Sequence, residues 1–192
     1  MKTIENASCH TGATPISEET VVVGADGGLK NVVVSIEGGP AVDGSSLPPV
    51  VLDQVDCRYV PHVVAVTAGQ AVDVKSSDAT LHNVHFAPQK NAAANFSMTT
   101  AGASRRVSFG TPEIVHVKCD VHPWMSSYVA VMDNPFFAVT SDDGSYELKG
   151  LPPGKYKLTA WHEQYGTLER PIEVTNETPA EVSLTYKAPP TG

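Results

Sequence analysis

A chain of 192 residues with a formal net charge of -8 is long enough for one large or two small domains. It lacks the basic surplus that nucleic-acid binding requires. No apolar run reaches the length of a membrane span, and "MKTIENASCH" at the start has no apolar stretch of the signal-peptide kind. An acidic surface of this sort attracts a basic protein partner.

Residues 1–16 read as a tail. "TVVVGADGGLKNVVVSIEG" then reads as two β-branched runs joined by the turn Asp26-Gly27-Gly28. A Gly/Pro/Ser loop follows. After it come "YVPHVVAVTAGQAVDVKSSD", "LHNVHFAP", "RRVSFGTPEIVHVKC" and "SSYVAVMD", where valines alternate with polar residues between Gly, Pro, Asp and Asn breaks. No stretch keeps a helical period with caps. "QKNAAANFSMTTAGA" reads mostly as loop, and Arg105-Arg106 as a solvated turn pair. Many short strands with regular turns predict a β-sandwich over 17–134. Beyond it, Asp143-Gly144 and Pro152-Pro153-Gly154 are turn signals. Five short strands are predicted around them: "FAVT", "YELKG", "YKLTAWHE", "RPIEVT" and "EVSLTY". They form a second, smaller sandwich over 135–188, with 189–192 as a tail. In "AWHEQYG", Trp161 is expected to pack inward, with His162 as its polar neighbour.

Three cysteines, Cys9, Cys57 and Cys119, divide most simply into one disulfide and one functional thiol. Cys119 has neighbours suited to metal binding, and the other two do not. Cys9 is therefore paired with Cys57, which implies an oxidising compartment such as a periplasm. The expectation is an exported, mature form whose leader has been removed and which carries a new start methionine, with a cytoplasmic protein as the other reading of this N-terminus.

"VKCDVHPWM" places a thiolate, an imidazole and a thioether in one loop as Cys119, His122 and Met125. A soft thiolate, one or two imidazoles and a weak thioether make a set suited to copper cycling between Cu(I) and Cu(II). A second imidazole must come from another segment. "LHNVHF" offers His82 and His85, three apart, which face opposite ways along a strand. Alternation alone does not choose between them. His62 and His116 are expected to be structural.

"HNVHF" together with "CDVHPWM" resembles the copper-binding segments of the amicyanins, which are cupredoxins (type 1 blue copper proteins). The loop spacing matches their Cys-x-x-His-Pro-Phe-Met pattern. The resemblance implies an all-β, cupredoxin-like Greek-key β-sandwich. It implies one copper ion held by His82, Cys119, His122 and Met125, with His85 as a non-ligand on the other face. Val121 stands where those proteins have proline. It keeps its backbone N–H, which with that of Asn83 is expected to donate to the Cys119 sulfur and stabilise Cu(I). The Asn83 side chain is expected to tie the His82 strand to the Cys119 loop. The segment "TSDDGSYELKGLPPGKYKLTAWHEQYG" resembles the transthyretin-like, carboxypeptidase regulatory-like β-sandwiches, which implies docking or stability and not catalysis.

The function these readings favour is one-electron transport between redox partners. It would be non-enzymatic and would leave through a surface of His122, Pro123 and Trp124. The expected partner is a basic c-type cytochrome, or a dehydrogenase or oxidase. The alternative is a periplasmic copper-handling protein (chaperone, buffer or resistance factor) using the same ligands. A copper enzyme with a second copper is disfavoured because the remaining histidines are scattered. The oligomeric state is not readable from the sequence.

Overall fold

The computed structural model describes residues 3–4, 16–176 and 181–187. It is all-β apart from one 3-10 turn at Gly44–Ser46. The strands are β1 (Thr3–Ile4), β2 (Ile16–Ser17), β3 (Val33–Glu37), β4 (Val50–Val55), β5 (Arg58–Val60), β6 (Val63–Thr67), β7 (Ala71–Ser76), β8 (His82–Ala87), β9 (Ala94–Met98), β10 (Ser104–Ser108), β11 (Glu113–Lys118), β12 (Ser126–Met132), β13 (Phe137–Val139), β14 (Gly154–His162) and β15 (Gly166–Val174). No helix among the described residues is long and apolar enough to cross a membrane.

The chain forms two compact units, one of 1–19 with 42–133 and the other of 20–41 with 134–192. This corrects the sequence-based boundary, which placed 20–41 in the first domain. The reason is strand pairing: β3 lies antiparallel between β13 and β14, with Val34 opposite both Ala138 and Ala160. The valine run made a strand as expected, but alternation does not say which sheet a strand joins. Residues 1–16 are also more than a tail, since Thr3–Ile4 pairs with Ile16–Ser17.

The first unit is a sandwich of a four-stranded sheet, β10-β7-β4-β5, and a five-stranded sheet, β6-β12-β11-β8-β9. Inward residues of both sheets make one core. Leu52, Val72 and Val74 come from one sheet, and Val84, Phe86, Val115, Val117, Val129 and Val131 from the other. The rings of Phe96 and Phe109 flank Phe86 at centroid distances of 6.3 and 5.2 Å. Two local expectations are corrected here. The Ala94–Met98 stretch, read as loop, is a strand paired with β8. Arg105 and Arg106 lie on β10 and not in a turn. Arg106 makes a two-pronged ion pair with Asp73, at 2.6 and 2.8 Å, and the Arg105 guanidinium sits 4.3 Å above the Phe96 ring. The polar residues of this strand thus have cross-strand partners, which a linear reading cannot supply.

Among the described residues the second unit has one sheet, β13-β3-β14-β15. Val32, Val34, Ile36, Leu158 and Ala160 form its buried core. The segments "YELKG" and "EVSLTY" were expected as strands, and neither forms a ladder among the described residues. Their alternation survives without the pairing. Tyr146, Leu148, Val182, Leu184 and Tyr186 all pack against the core, and Tyr146 Oη donates to Val182 O at 2.8 Å. Side-chain burial sets the period, while a ladder also needs neighbouring backbones in register. The unit consequently retains a cavity of about 1040 Å³ lined by Val34, Leu148, Leu158, Leu184 and Tyr186, among others. In β14 the order of burial reverses the expectation. His162 is 1% exposed beside Tyr165 and Tyr186, while Trp161 faces the other way. Leu158, Ala160 and His162 alternate inward, so the histidine falls on the core face.

Phe86→Ala is expected to destabilise the first unit by about 3–5 kcal/mol, the usual cost of a large-to-small change at a sealed core position. Arg105→Ala on the exposed face is expected to cost less than about 1 kcal/mol. Urea unfolding of the metal-free protein separates the two.

Candidate metal centre

The site lies where β8 begins and where the loop between β11 and β12 turns. β11 and β12 form a hairpin whose last pair is Lys118 with Ser126, leaving Cys119–Met125 as the loop. The loop closes on itself, with Cys119 N donating to Met125 O at 3.2 Å and Met125 N to His122 O at 2.9 Å. β8 lies beside β11 with His85 opposite Lys118, so the His82 end of β8 runs alongside the departing loop.

Burial divides the two candidate histidines as strand alternation requires. His82 is 0% exposed, while the His85 side chain is 29% exposed and faces Asp120 at 3.1 Å. His82 Nδ1 lies 3.0 Å from His122 Nδ1, and Cys119 Sγ lies 3.9 Å from that same His122 nitrogen. Cys119 and Met125 are buried at 3% and 1% exposure, and His122, at 7%, is the most exposed of the four. The four side chains expected as ligands are therefore buried together, and His85 is apart from them.

Two polar ties hold the arrangement. Asn83 Oδ1 accepts from Asp120 N at 2.5 Å, and Asn83 Nδ2 donates to Asp120 Oδ2 at 2.9 Å. These bonds join the strand of His82 to the loop of Cys119. Beneath them the buried Tyr59 hydroxyl donates to Asn83 O at 2.7 Å, with Lys118 O as a second acceptor at 3.2 Å. Burial, then the nearby Cys119 sulfur, push the Tyr59 hydroxyl far above its ordinary value. It stays a neutral donor throughout the working range.

Asp78, which the sequence reading did not single out, orients His82. Its Oδ2 accepts from His82 Nε2 at 2.8 Å and also from Cys57 N at 2.9 Å, and its Oδ1 accepts from Asp56 N at 2.8 Å. A carboxylate only accepts, so the proton sits on Nε2 and Nδ1 is turned toward Cys119 and His122. A signal was present, since Asp78 lies four residues before His82. It carries no meaning until the chain between them is known to turn back. Trp124 packs its ring 5.1 Å from that of His122 and donates Nε1 to Cys57 O at 3.1 Å.

The charges follow from these contacts. Burial raises the Cys119 thiol, but His82 and the backbone N–H groups of Asn83, His122 and Val121 outweigh it and hold the thiol below its ordinary value. Burial lowers His82, yet its bonds to Cys119 and Asp78 prevail and raise it. Burial, then repulsion from His82, lowers His122. The contacts thus favour the charged forms of Cys119 and His82 and the neutral form of His122. Among the described residues one further sulfur is close: Cys57, with His82 and His122, forms a buried group whose donor atoms lie within 4.8 Å of one another. Cys119 is a free thiol and Cys57 is not. Cys9 lies outside the described residues, and the expected Cys9–Cys57 bridge lies outside them too. His62 and His116 flank Tyr128, and His116 Nε2 lies 2.9 Å from Ser126 Oγ. Both are structural in their packing.

Residues 129–187 match the model of the carboxypeptidase regulatory-like domain. The match starts within β12, whose pairing with β11 and β6 belongs to the first unit. In structure the chain is similar to a copper-containing nitrite reductase from Thermus scotoductus SA-01, with 19% identity and a TM-score of 0.42, over 45% of this chain and 23% of that one. It is similar to amicyanin from Paracoccus versutus, with 22% identity and a TM-score of 0.40, over 52% of this chain and 97% of that one. A Cu(I) mutant of amicyanin gives 19% identity and a TM-score of 0.40, over 52% and 98%. The chain thus spans less than a quarter of the nitrite reductase. No curated protein sequence matches it at a significant level.

Asn83→Ala is expected to cost about 1–3 kcal/mol, because it leaves the Asp120 N–H without its acceptor. The His85 ring, opposed by desolvation and helped by Asn95 and Asn83, holds the Asp120 carboxyl down to about 2 from an ordinary 3.8. A lowered folded-state value adds stability above the unfolded value, and that stability is lost as pH falls through the folded one. Carboxyl-carbon NMR is expected to show Asp120 titrating near 2 in the wild type, and nearer 3.8 in His85→Ala.

Proposed function

We propose that this chain binds one copper ion through His82 Nδ1, Cys119 Sγ, His122 Nδ1 and the Met125 thioether, and works as a one-electron carrier. The observation that carries the reading is the buried convergence of two imidazole nitrogens and a free thiol sulfur at 3.0 and 3.9 Å, from segments 37 residues apart (82 to 119). Donors bonded to one ion at ~2.0 Å for nitrogen and ~2.3 Å for sulfur stand roughly 3.3–3.7 Å apart. The observed separations of 3.0 and 3.9 Å lie within a few tenths of an ångström of that range on either side. The set of one thiolate, two imidazoles and a thioether is that of electron-transfer copper and not of structural zinc.

Copper, when bound, supplies a Cu(I)/Cu(II) couple. The protein's part is to hold the donors still. Asp78 fixes the His82 ring, Trp124 packs on His122, and the Asn83–Asp120 tie fixes the spacing between strand and loop. The N–H groups of Asn83 and Val121 draw charge from the Cys119 sulfur, which favours the reduced state. Val121 and Leu81 are 45% and 48% exposed next to the ligands. With Pro123 they give the His122 edge an apolar rim suited to brief docking. The acidic net charge draws a basic partner such as a c-type cytochrome. The compartment is periplasmic, Cys57 is bonded to Cys9, and no reaction is catalysed.

A visible and EPR spectrum of the copper-loaded protein tests the reading, with an intense thiolate-to-copper band as the expected result. Cys119→Ala is expected to abolish the band and His82→Ala to disrupt it, while His85→Ala leaves it nearly intact. The reverse pattern for the two histidines would sink the ligand assignment. Because His82 is raised above its ordinary value by its bonds to Cys119 and Asp78, its proton competes with the metal. Copper affinity is therefore expected to rise with pH until the ring is neutral. Trp124→Glu is expected to slow electron exchange with a basic cytochrome in stopped flow while the spectrum hardly moves. The wild-type rate is expected to fall as salt rises. Transfer of Cu(I) to an acceptor with no electron exchange would instead favour copper handling.

A further inference from the structure

Cys57 is not used by the proposed copper set, yet it is built against that set from several sides. Its Sγ lies 3.8 Å from His82 Nε2, and Cys57, His82 and His122 each offer a donor atom within 4.8 Å of the others, all three buried. One carboxylate oxygen, Asp78 Oδ2, accepts from both Cys57 N and His82 Nε2. The indole that packs on His122 donates to Cys57 O. Cys57 is thus linked to one imidazole through Asp78 and to the other through Trp124.

The backbone shows that the position is costly. Asp56 and Cys57 have φ of 50° and 52° and form the two-residue turn between Val55 and Arg58. Such a turn favours Asn-Gly, and a residue with a β-carbon there costs about 1–2 kcal/mol. A cysteine serves no purpose of the turn itself, and backbone strain of this kind collects at functional positions.

We propose that Cys57, once its disulfide is opened, is a ligand for a soft monovalent cation, Cu(I), together with His82 and His122. The inference rests on the copper reading for the identity of the metal. In the oxidised chain Cys57 is disulfide-bonded. Cys9 is the partner proposed above. A disulfide sulfur carries no thiolate charge to give. A dithiol opens the bond by passing two electrons and two protons. Cys57–SH and Cys9–SH form, and the dithiol leaves as its cyclic disulfide. Cu(I) binding then releases the Cys57 thiol proton to water. Thiolates favour Cu(I) over Cu(II), so a Cys57 thiolate grouped with the two imidazoles makes a position that keeps the reduced ion.

The test measures Cu(I) affinity by competition with the chelator bicinchoninate on the full chain, with a water-soluble phosphine as reductant. The phosphine takes oxygen from water as the disulfide becomes two thiols. Cys119→Ser isolates the second sulfur, and thiol counting is expected to read none before reduction and two after. Its Cu(I) affinity is expected to rise at least about tenfold on reduction. Cys9→Ser/Cys119→Ser should reach the same affinity without phosphine, which guards against misfolding of any Cys57 variant. Cys57→Ser/Cys119→Ser should show no gain. An unchanged affinity after two thiols have appeared overturns the proposal, as does an equal gain in the variant lacking Cys57, or two thiols present before reduction. The copper-carrier reading is judged separately, by the charge-transfer band of the untreated wild type, and its loss leaves these outcomes readable.

Discussion

The centre depends on the two hydrogen bonds between the Asn83 side chain and Asp120. They join a strand end to a loop that closes on itself through Cys119 and Met125 and is tied elsewhere through Trp124 and the Asp120 carboxylate. His82 is carried by the first and Cys119 and His122 by the second, so the distance between the imidazoles is set by this polar tie more than by either element alone. Tyr59 repeats the constraint from below by donating to carbonyls next to each ligand segment. Because the bonds are part-buried, water competes poorly for them, and losing one partner leaves a polar group unsatisfied. Ties of this kind keep the buried nitrogen and sulfur donors at fixed separations.

Electrostatics and geometry act together here. The same N–H groups that stabilise the Cys119 thiolate are fixed by the strand and loop that carry the ligands. Asp78 has three tasks with two oxygens: it orients His82, it caps the strained Asp56-Cys57 turn, and it links that turn to the imidazole. A change in the Cys57 turn is therefore transmitted to a ligand through one carboxylate, a short route compared with the packed core behind it.

The second unit has a different character. Among the described residues its one sheet buries a small core, and two segments with good alternation pack by side chains alone. Its buried histidine, His162, lies among tyrosines, and its Nδ1 accepts from Gln164 N at 3.2 Å. Its match to a carboxypeptidase regulatory-like domain describes a fold, and function must be argued from sites.

The sequence by itself determined the valine-rich strands of the first sandwich, the loop chemistry of Cys119, His122 and Met125, and the restriction that only one of His82 and His85 faces the core. Each of these is local: alternation has a period of two, and a loop carries its own donors. What tertiary structure decided is everything that needs distant residues to meet. It moved Val33–Glu37 into the second unit, because a valine run suits either sheet until its partner is known. It made Ala94–Met98 a strand, because β8 offered it an edge. It left "YELKG" and "EVSLTY" without ladders and turned His162 inward. It brought Asp78 to His82 and Cys57 to the buried His82–His122 group, 25 residues from His82 and 62 from Cys119 (57 to 82, and 57 to 119). Hydrogen bonds and metal sites form between atoms that the fold brings within a few ångströms, and that proximity is a property of chain topology, which local pattern does not encode.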